Sequence, residues 1–309
     1  MADLNTFKRL TNFDNLSPSE SDTLQKKLLL RKKTFDLKNL ARENYLKFVK
    51  QVWPEFIEGP HHVQIAKKFQ ALAEGKIKRL IVNMPPRHTK SEFASYLFPA
   101  WMMGRNPKLK IIQTTHTAEL SYRFGRKVRN LMEENTFQDI FDDIKLSQDS
   151  KAAGRWETNQ GGEYFAAGVG GAITGRGADL LIIDDPHSEQ DALSETAMEN
   201  AYEWYTSGPR QRLQPGGRIV IVMTRWSTKD LTGQLMKAQS DVKADQWDVI
   251  EFPAIMPNEK PVWPEYWKLD ELESVKASLS VAKWNAQWQQ NPTSEEGSII
   301  KREYWKIWD

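Results

Sequence analysis

Short apolar runs alternate with longer amphipathic stretches through the middle of the chain. The apolar runs are rich in Leu, Ile and Val and are bounded by turn residues, and they predict buried strands at residues 80–83, 110–115, 180–183 and 218–224. The amphipathic stretches between them predict helices at residues 92–103, 118–134 and about 193–205. Apolar strands that alternate with helices are typical of an α/β fold with a mainly parallel sheet, covered by helices on both faces.

The two ends of the chain differ from this alternating core. Ahead of the first strand, helices are predicted after Ser17 and at residues 40–52 and 62–74. Residues 156–178 are rich in glycine, and a β-ribbon is predicted at residues 163–169. After Leu235, seven of the twelve tryptophans occur among several prolines, with helices predicted at residues 269–279 and 280–290. We therefore predict a basic, helical N-terminal arm (1–58), a core domain (59–235) and a small lid or linker subdomain (236–309).

Composition narrows the class of protein. The chain has 309 residues, a formal net charge of +2 and no cysteine, which excludes a disulfide framework and a thiolate metal site. No apolar run approaches the roughly 20 residues that cross a bilayer, and the N-terminus lacks an apolar signal segment. We therefore expect a soluble, cytosolic protein. Residues 1–50 carry 11 basic side chains against 6 acidic ones, which is typical of a solvated helix face or of a polyanion contact.

The first predicted strand leads into a loop with features of a phosphate-binding site. Residues 84–92 have the sequence MPPRHTKSE, with Lys90 and Ser91 where the following helix begins. In a phosphate loop, backbone N–H groups converge on an anion, a lysine neutralises the β- and γ-phosphates, and a hydroxyl holds Mg²⁺. The usual pattern has glycine at the positions of Met84 and Thr89, so the match is incomplete. A strand–turn–helix unit with a solvated lysine is the alternative.

Two later strands end in polar residues. Asp184 and Asp185 follow the apolar run at 180–183, and an acid at that edge of an open α/β sheet points into the crevice where ligands bind. A P-loop ATPase uses such an acid for Mg²⁺ and a neighbouring acid to orient the attacking water, roles that Asp184 and Asp185 fit in that order. Thr224 and Arg225 end the next strand and are candidates for sensing the γ-phosphate. The alternative for each pair is an ordinary strand end.

Four motifs occur in a fixed order: MPPRHTKSE (84–92), TTHTA (114–118), GRGADLLIIDDP (175–186) and MTRW (223–226). Together they resemble the large terminase subunit of tailed bacteriophages, the motor ATPase that packages DNA. The resemblance implies an ASCE-type P-loop NTPase fold with a lid subdomain, and ATP and Mg²⁺ as cofactors. It also implies an RNase H-like nuclease domain C-terminal to the ATPase. We expect that domain to be absent from this chain, and we expect no nuclease activity of it.

The resemblance also implies partners and a setting. Double-stranded DNA, the portal protein and the small terminase subunit are the expected partners. The expected assembly is a homo-oligomeric, pentameric ring on the procapsid, with a monomer for the isolated chain and no membrane contact. The expected location is the host cell cytoplasm.

Residue roles follow from the resemblance position by position. ATP would be bound by the loop residues Pro86, Arg87, His88, Thr89, Lys90 and Ser91, with Ser91 and Asp184 as metal ligands. Asp185 would be the catalytic carboxylate, with Glu189 as the fallback because many relatives have Glu where Asp185 stands. Arg87 would approach the γ-phosphate in cis, and Arg176 would reach a neighbouring subunit's site in trans; a salt bridge within its own chain is the alternative for Arg176.

The remaining assignments concern the adenine and the DNA. Gln64 and His62 are candidates for contacting adenine, by hydrogen bonding and by stacking respectively. Contacts to DNA phosphates are expected from four basic residues on the helix after the second strand, Arg123, Arg126, Lys127 and Arg129; a solvated basic face is the alternative.

Thr89 is the departure from the pattern that matters most, because a β-branched residue resists the positive φ that glycine adopts freely. It predicts a changed loop conformation or nucleotide binding of micromolar or poorer affinity. Two alternative functions remain open: a superfamily 2-type DNA-dependent ATPase, and a degenerate P-loop scaffold that docks on the portal without hydrolysing ATP. The first needs a second RecA-like domain, for which the residues after Leu235 are too few.

Overall fold

An eight-stranded sheet runs through the centre of the chain in the computed structural model, which describes residues 18–293. Its strands are β1 (Arg79–Asn83), β2 (Lys110–Thr115), β3 (Leu146–Ala152), β4 (Arg155–Thr158), β5 (Glu163–Gly168), β6 (Ala178–Asp184), β7 (Leu213–Met223) and β8 (Asp248–Glu251). The spatial order is β3-β4-β5-β2-β6-β7-β1-β8. Only the pairs β3–β4 and β4–β5 are antiparallel. The predicted α/β fold with a mainly parallel sheet is therefore confirmed.

Helices cover both faces of this sheet. They are α1 (Pro18–Glu43), α2 (Tyr45–Val52), α3 (Pro60–Ala73), α4 (Phe98–Arg105), α5 (Ala118–Glu133), α6 (Asn135–Ile140), α7 (Glu195–Ser207), α8 (Leu231–Ala238), α9 (Leu269–Ser278) and α10 (Val281–Lys283). Two π-helical turns, Glu92–Leu97 and Trp284–Trp288, lead into α4 and follow α10. The first of these directly follows the candidate phosphate loop, and π-helical turns occur frequently at functional sites.

Alternate residues of the central strands enter two separate hydrophobic cores, because successive side chains of a strand point to opposite faces. The core shared with α1–α6 receives Leu80, Val82, Ile111, Leu180, Ile182, Val220 and Val222. The core shared with α7 and α8 receives Ile81, Ile112, Leu181, Ile183, Ile219 and Ile221. Burial on both faces explains why these strands are apolar throughout.

The strand register brings three chain segments together at one edge. Asn83 at the end of β1 lies beside Met223 of β7, and Val222 of β7 lies beside Asp184 of β6. The residues that follow these strand ends, Met84, Thr224 and Asp185, therefore meet at the carboxyl edge, where ligands of open α/β sheets bind.

The N-terminal helices differ from the prediction. In place of one helix at residues 40–52, the chain breaks at Asn44, whose side chain accepts a hydrogen bond from the Lys47 N–H at 3.0 Å and caps α2. The first residue of α2, Tyr45, is fully buried, and its hydroxyl donates to the Phe93 carbonyl at 2.6 Å. This contact joins the N-terminal helices to the helix that follows the candidate phosphate loop.

The C-terminal segment adds one strand, β8, to the sheet. β8 pairs with β1 at the edge of the sheet, although the sequence pattern did not predict a strand there. The helix predicted at residues 269–279 is observed as α9, and the one predicted at 280–290 is reduced to α10 and a π-helical turn. Residues 1–17 of the predicted arm and residues 294–309 of the predicted lid lie outside the described residues. Among the helices of residues 18–293, none has the length and apolar character needed to cross a membrane.

Gly125 on α5 offers a direct test of how the helix packs on the sheet. A Cβ at this position would lie 2.4 Å from the Ala153 carbonyl oxygen and 3.0 Å from the Tyr164 ring. Gly→Ala within a helix ordinarily stabilises a protein by about 1 kcal/mol. Here we expect Gly125→Ala to lower the free energy of unfolding by roughly 1–3 kcal/mol, because the backbone contact cannot yield without moving the helix.

Urea denaturation measures this change. The matched control is Arg126→Ala on the exposed side of the same helix, which should stay within about 0.5 kcal/mol of the wild type. A stabilised Gly125→Ala protein would contradict the close helix–strand contact.

Candidate active site

Lys90 and Asp185 form an ion pair at the carboxyl edge of the sheet. The Lys90 Nζ lies 3.0 Å from the Asp185 Oδ2, and the lysine side chain is 8% exposed. Lys90 ends the loop that follows β1, and Asp185 follows β6, so the pair forms because β7 holds the two strands in register. A buried ammonium without a bound anion needs a carboxylate partner, and Asp185 provides it.

Asp184 and Ser91 make the second contact between these segments. The Ser91 hydroxyl donates to one carboxylate oxygen of Asp184 at 3.0 Å, and the Ser95 hydroxyl donates to the other at 2.7 Å. Burial, followed by the negative charge of Asp185, raises the pKa of Asp184 to about 7, against the opposing effects of Lys90 and the two serines. Such a carboxyl group gains strongly from a nearby cation. The carboxylate of Asp184 and the hydroxyl of Ser91 are hard oxygen ligands, so the residues present fit Mg²⁺.

Asp185 is held in a strained and defined position. Its φ is 42°, in the left-handed region that non-glycine residues adopt at a cost of about 1–3 kcal/mol. The Thr224 backbone N–H donates to its Oδ1 at 2.8 Å, and its carbonyl accepts from the His116 N–H at 3.2 Å. Strain of this kind persists where surrounding contacts enforce it. Here those contacts fix a carboxylate beside Lys90.

Thr224 and Arg225, the two residues predicted to sense the γ-phosphate, differ in their contacts, and that role stays a prediction. Besides its bond to Asp185, the Thr224 hydroxyl donates to the Met84 carbonyl at 3.2 Å, so it connects the loop with the acid. Arg225 is buried in an ion network: its Nε lies 3.0 Å from Asp230 and its Nη1 lies 3.1 Å from Glu251. Its guanidinium therefore links the end of β7 to β8 and to the start of α8.

The loop contains two non-glycine residues with positive φ, Arg87 at 61° and Thr89 at 67°. The left-handed conformation costs an L-residue roughly 1–2 kcal/mol. Thr89 nevertheless has the positive φ that a glycine would adopt freely at this position, despite the steric cost to a β-branched residue. The Arg87 side chain is exposed at the tip of the loop, and His88 is buried with its ring stacked on Trp267 at 5.9 Å between centroids.

His62 does not have the role predicted for it. The ring is fully buried, stacked on Phe93 at 5.1 Å and packed edge-on against Phe56 and Trp263. Its Nδ1 accepts from the Gly59 N–H at 2.8 Å, and its Nε2 lies 2.7 Å from the Thr89 hydroxyl. Stacking on adenine requires an exposed ring face, so this assignment is corrected. The Gln64 side chain is exposed, and its contact with adenine stays a prediction.

Arg176 contacts its own chain. Its guanidinium is paired with the Glu163 carboxylate and lies 4.0 Å from the centroid of the Phe165 ring. Because it precedes β6, Arg176 lies at the amino edge of the sheet, away from Lys90 and Asp185. The intrachain salt bridge is therefore present, and a role in trans stays a prediction. Glu189, the fallback acid, is exposed on the loop after β6.

The four basic residues of α5 differ in their surroundings. Arg123 and Arg126 are exposed. Lys127 lies 4.5 Å above the Tyr96 ring and 3.7 Å from Glu92, and Arg129 donates to the Asn130 side chain at 3.0 Å. The structure thus leaves Arg123 and Arg126 as the members of this set that face solvent.

Ser95 is a site residue that the sequence reasoning missed. It follows Ser91 by four residues, and residues at i and i+4 of a helix share a face. Had this spacing been applied to the helix after Lys90, both hydroxyls would have been placed opposite Asp184. No sequence pattern indicates the contacts of His116 and His62, because the partner of each is far away in the sequence.

Three buried histidines, His61 and His62 at the start of α3 and His88 within the loop, are called here the histidine cluster. Desolvation by burial lowers the pKa of His61 to about 3, that of His62 to about 2 and that of His88 to about 4. Charge on neighbouring cluster members is the second cause of the low pKa values of His61 and His62. All three rings are therefore neutral at pH 7.

The fold of this chain is similar to that of large terminases. The HK97 bacteriophage large terminase superposes with a TM-score of 0.54 at 10% identity, over 80% of this chain and 54% of that one. The ATPase domain of the large terminase of Thermus phage P74-26 superposes with a TM-score of 0.51 at 14% identity, over 76% of this chain and 94% of that one. The chain thus spans about half the length of the HK97 protein. A scan against protein-family models and a search of curated proteins find no match.

The order of the central strands brings the candidate site residues together. β7, which leads to Thr224, lies between β1, which leads into the loop, and β6, which leads to Asp184. The two structural neighbours support the predicted α/β fold with a mainly parallel central sheet.

The histidine cluster predicts loss of stability in acid. A histidine whose folded pKa lies below its unfolded value of 6.5 stabilises the fold above pH 6.5, and this stability is lost as the pH falls. Each buried ring should cost about 1.4 kcal/mol per pH unit between 6.5 and its folded pKa. Asp184, whose pKa is raised, acts in the opposite direction between pH 7 and 4, so the three histidines outweigh it.

His61→Phe isolates one ring, since it replaces a single buried imidazole by an aromatic ring that does not titrate. Urea denaturation should show the variant close to wild type at pH 7.5 and more stable by about 1.4 kcal/mol at pH 5.5. A difference that does not change with pH would mean that His61 is not buried in the neutral form.

Proposed function

We propose that this chain is the ATPase region of a phage large terminase, which hydrolyses ATP to move double-stranded DNA into a procapsid as one subunit of a ring motor. The observation that carries the proposal is the paired contact across the carboxyl edge, Lys90 with Asp185 and Ser91 with Asp184. A buried lysine and a hydroxyl at the start of a helix, opposed by two acids on a parallel strand, form the machinery for phosphoryl transfer. The fold shared with large terminases supports the same function.

The ion pair suggests how binding prepares the site for reaction. The phosphates of ATP compete with Asp185 for the Lys90 ammonium, and backbone N–H groups of residues 88–91 are available to the same anion. Once Lys90 turns to the phosphates, the Asp185 carboxylate is free to accept a hydrogen bond from the attacking water. Lys90 then offsets the charge that develops on the γ-phosphate, which is the main catalytic need in this reaction.

Asp184 and Ser91 would hold Mg²⁺, which when bound neutralises negative charge on the β- and γ-phosphates. The serine hydroxyls that hydrogen-bond both oxygens of Asp184 fix its orientation before the metal binds. Arg87, exposed at the tip of the loop, is positioned to fold over the γ-phosphate in cis.

Thr224 would couple the nucleotide to movement. It donates to Asp185 and to the Met84 carbonyl, so a shift of either the acid or the loop displaces the end of β7. Arg225 follows directly and is tied to α8, β8 and the Gln290 side chain, which accepts from the Arg225 N–H at 3.1 Å. The displacement therefore has a path from the phosphates to the C-terminal segment.

The remaining parts of the proposal concern partners. Exposed Arg123 and Arg126 are the residues we assign to DNA phosphates, without base readout, because a motor has to grip any sequence. Arg176 would leave Glu163 to enter a neighbour's site when the ring assembles. Portal protein and small terminase subunit would be the docking partners, and packaging would take place in the host cell cytoplasm.

A degenerate, non-hydrolysing scaffold is the second candidate, and the motif departure at Thr89 favours it. ATP turnover with and without double-stranded DNA separates the two. We expect Lys90→Ala and Asp185→Asn each to lower turnover by about 100-fold or more, because each removes a charge that acts in the transition state. The exposed Lys67→Ala is the matched control and should leave turnover unchanged. Equal, negligible turnover in wild type and both variants would favour the scaffold.

The trans role of Arg176 makes a separate prediction. Arg176→Ala and Lys90→Ala chains should each be inactive alone, and mixing them should restore part of the turnover, because a mixed ring pairs an intact loop with an intact arginine. Arg155→Ala is the matched control, since Arg155 also faces Glu163, at 3.7 Å, without a proposed role in catalysis. Full activity of Arg176→Ala alone, or no recovery at any mixing ratio, would contradict the trans role.

A further inference from the structure

Thr89 is a β-branched residue in a conformation that normally requires glycine, directly before the lysine of the candidate phosphate loop. Its φ is 67°. Side chains of this type are genuine outliers in the left-handed region, so specific contacts have to hold the residue there. The Thr89 carbonyl accepts from the Phe93 N–H at 3.0 Å, and the side-chain hydrogen bonds are made by one atom, the Thr89 hydroxyl oxygen.

The hydroxyl lies at the end of a hydrogen-bond chain in which each donor and acceptor is determined. The Gly59 N–H donates to the His62 Nδ1 at 2.8 Å, so this nitrogen is an acceptor and the ring proton is on Nε2. The Nε2–H therefore donates to the Thr89 Oγ1 at 2.7 Å. The Thr89 hydroxyl hydrogen in turn donates to the His88 carbonyl at 2.5 Å. The chain runs without a gap from the start of α3 to the loop backbone.

The His62 ring is itself immobilised. It is fully buried, stacked on Phe93 of the helix that follows the loop, and packed against Trp263 of the C-terminal segment. Its low pKa keeps it neutral, so the donor and acceptor roles of its two nitrogens do not change near pH 7. A fixed ring can hold the Thr89 side chain in one rotamer and so hold the backbone of residue 89.

We propose that His62 is a positioning residue for the phosphate loop, which replaces the conformational freedom of glycine by clamping Thr89 in the left-handed conformation. The inference rests on the proposed nucleotide site, because its consequence is that the N–H groups of residues 89–91 are preorganised for phosphate. In this arrangement the Thr89 hydroxyl hydrogen-bonds to His62 and to the His88 carbonyl, so it does not contact the nucleotide. His62 touches no reacting atom in this arrangement.

The clamp makes a prediction that ordinary packing does not. His62→Phe keeps the ring stacked but removes the donor, so Thr89 loses its support and the full-length chain should bind Mg²⁺–ADP about tenfold more weakly. Thr89→Gly needs no support from position 62, so it is the reference against which the double variant is compared. In the double variant, His62→Phe with Thr89→Gly, the defect should disappear, so that binding lies within about twofold of Thr89→Gly alone.

Isothermal titration calorimetry with Mg²⁺–ADP measures the four affinities, and urea denaturation confirms that each chain is folded. His61→Phe is the matched control. It changes the adjacent ring, whose centroid lies 3.8 Å from that of His62, in the same way, and His61 lies outside the hydrogen-bond chain to Thr89, so this variant should bind within about twofold of wild type. Should His62→Phe fail to fold, Thr89→Val removes the hydroxyl while keeping the shape. That variant should also bind about tenfold more weakly.

The outcomes separate the inference from the function it rests on. Weaker binding by His62→Phe or Thr89→Val, rescued by glycine at position 89, supports the clamp. Wild-type affinity in these variants, or a double variant as weak as His62→Phe, overturns the clamp and leaves the ATPase proposal intact. A wild-type chain that binds no Mg²⁺–ADP, like Lys90→Ala, overturns the ATPase proposal and the clamp together.

Discussion

One ammonium and two carboxylates share the buried carboxyl edge of the sheet, and this imbalance governs the site. Lys90 can neutralise only one acid, and it pairs with Asp185. Asp184 is left with two hydroxyl donors and a raised pKa, because hydrogen bonds from serine do not replace a positive charge. A metal–nucleotide complex supplies the missing cation to Asp184 and a competing anion to Lys90. The groups that fit ATP chemistry are therefore the same groups whose charges are poorly balanced without it.

The parts of this arrangement that the sequence could predict are those encoded locally. The runs at residues 80–83 and 180–183 are apolar on both faces, so their strands and the polar residues after them were identifiable. β8 was not predicted because it has only two apolar residues between Asp248 and Glu251, and its position depends on the free edge of β1. The break at Asn44 was hidden in an otherwise continuous helical pattern.

Side-chain positions at the site were predictable only where a residue type coincides with a strand end or with the start of the next helix. Lys90, Ser91, Asp184 and Thr224 meet that condition. Arg225 follows the same strand as Thr224, but its partners Asp230 and Glu251 belong to two other elements. No local sequence pattern predicts these ion pairs. His62 is 27 residues before Thr89, and its assignment to adenine failed for the same reason: burial and hydrogen-bond partners are properties of the fold.

The clamp on Thr89 makes positions 62 and 89 energetically interdependent. Glycine at position 89 adopts the left-handed conformation without support, whereas threonine there depends on a donor at position 62. The effect of a substitution at position 62 therefore depends on which residue occupies position 89, so the two effects do not add. Two positions in different elements are coupled in this way through a single hydrogen bond of 2.7 Å.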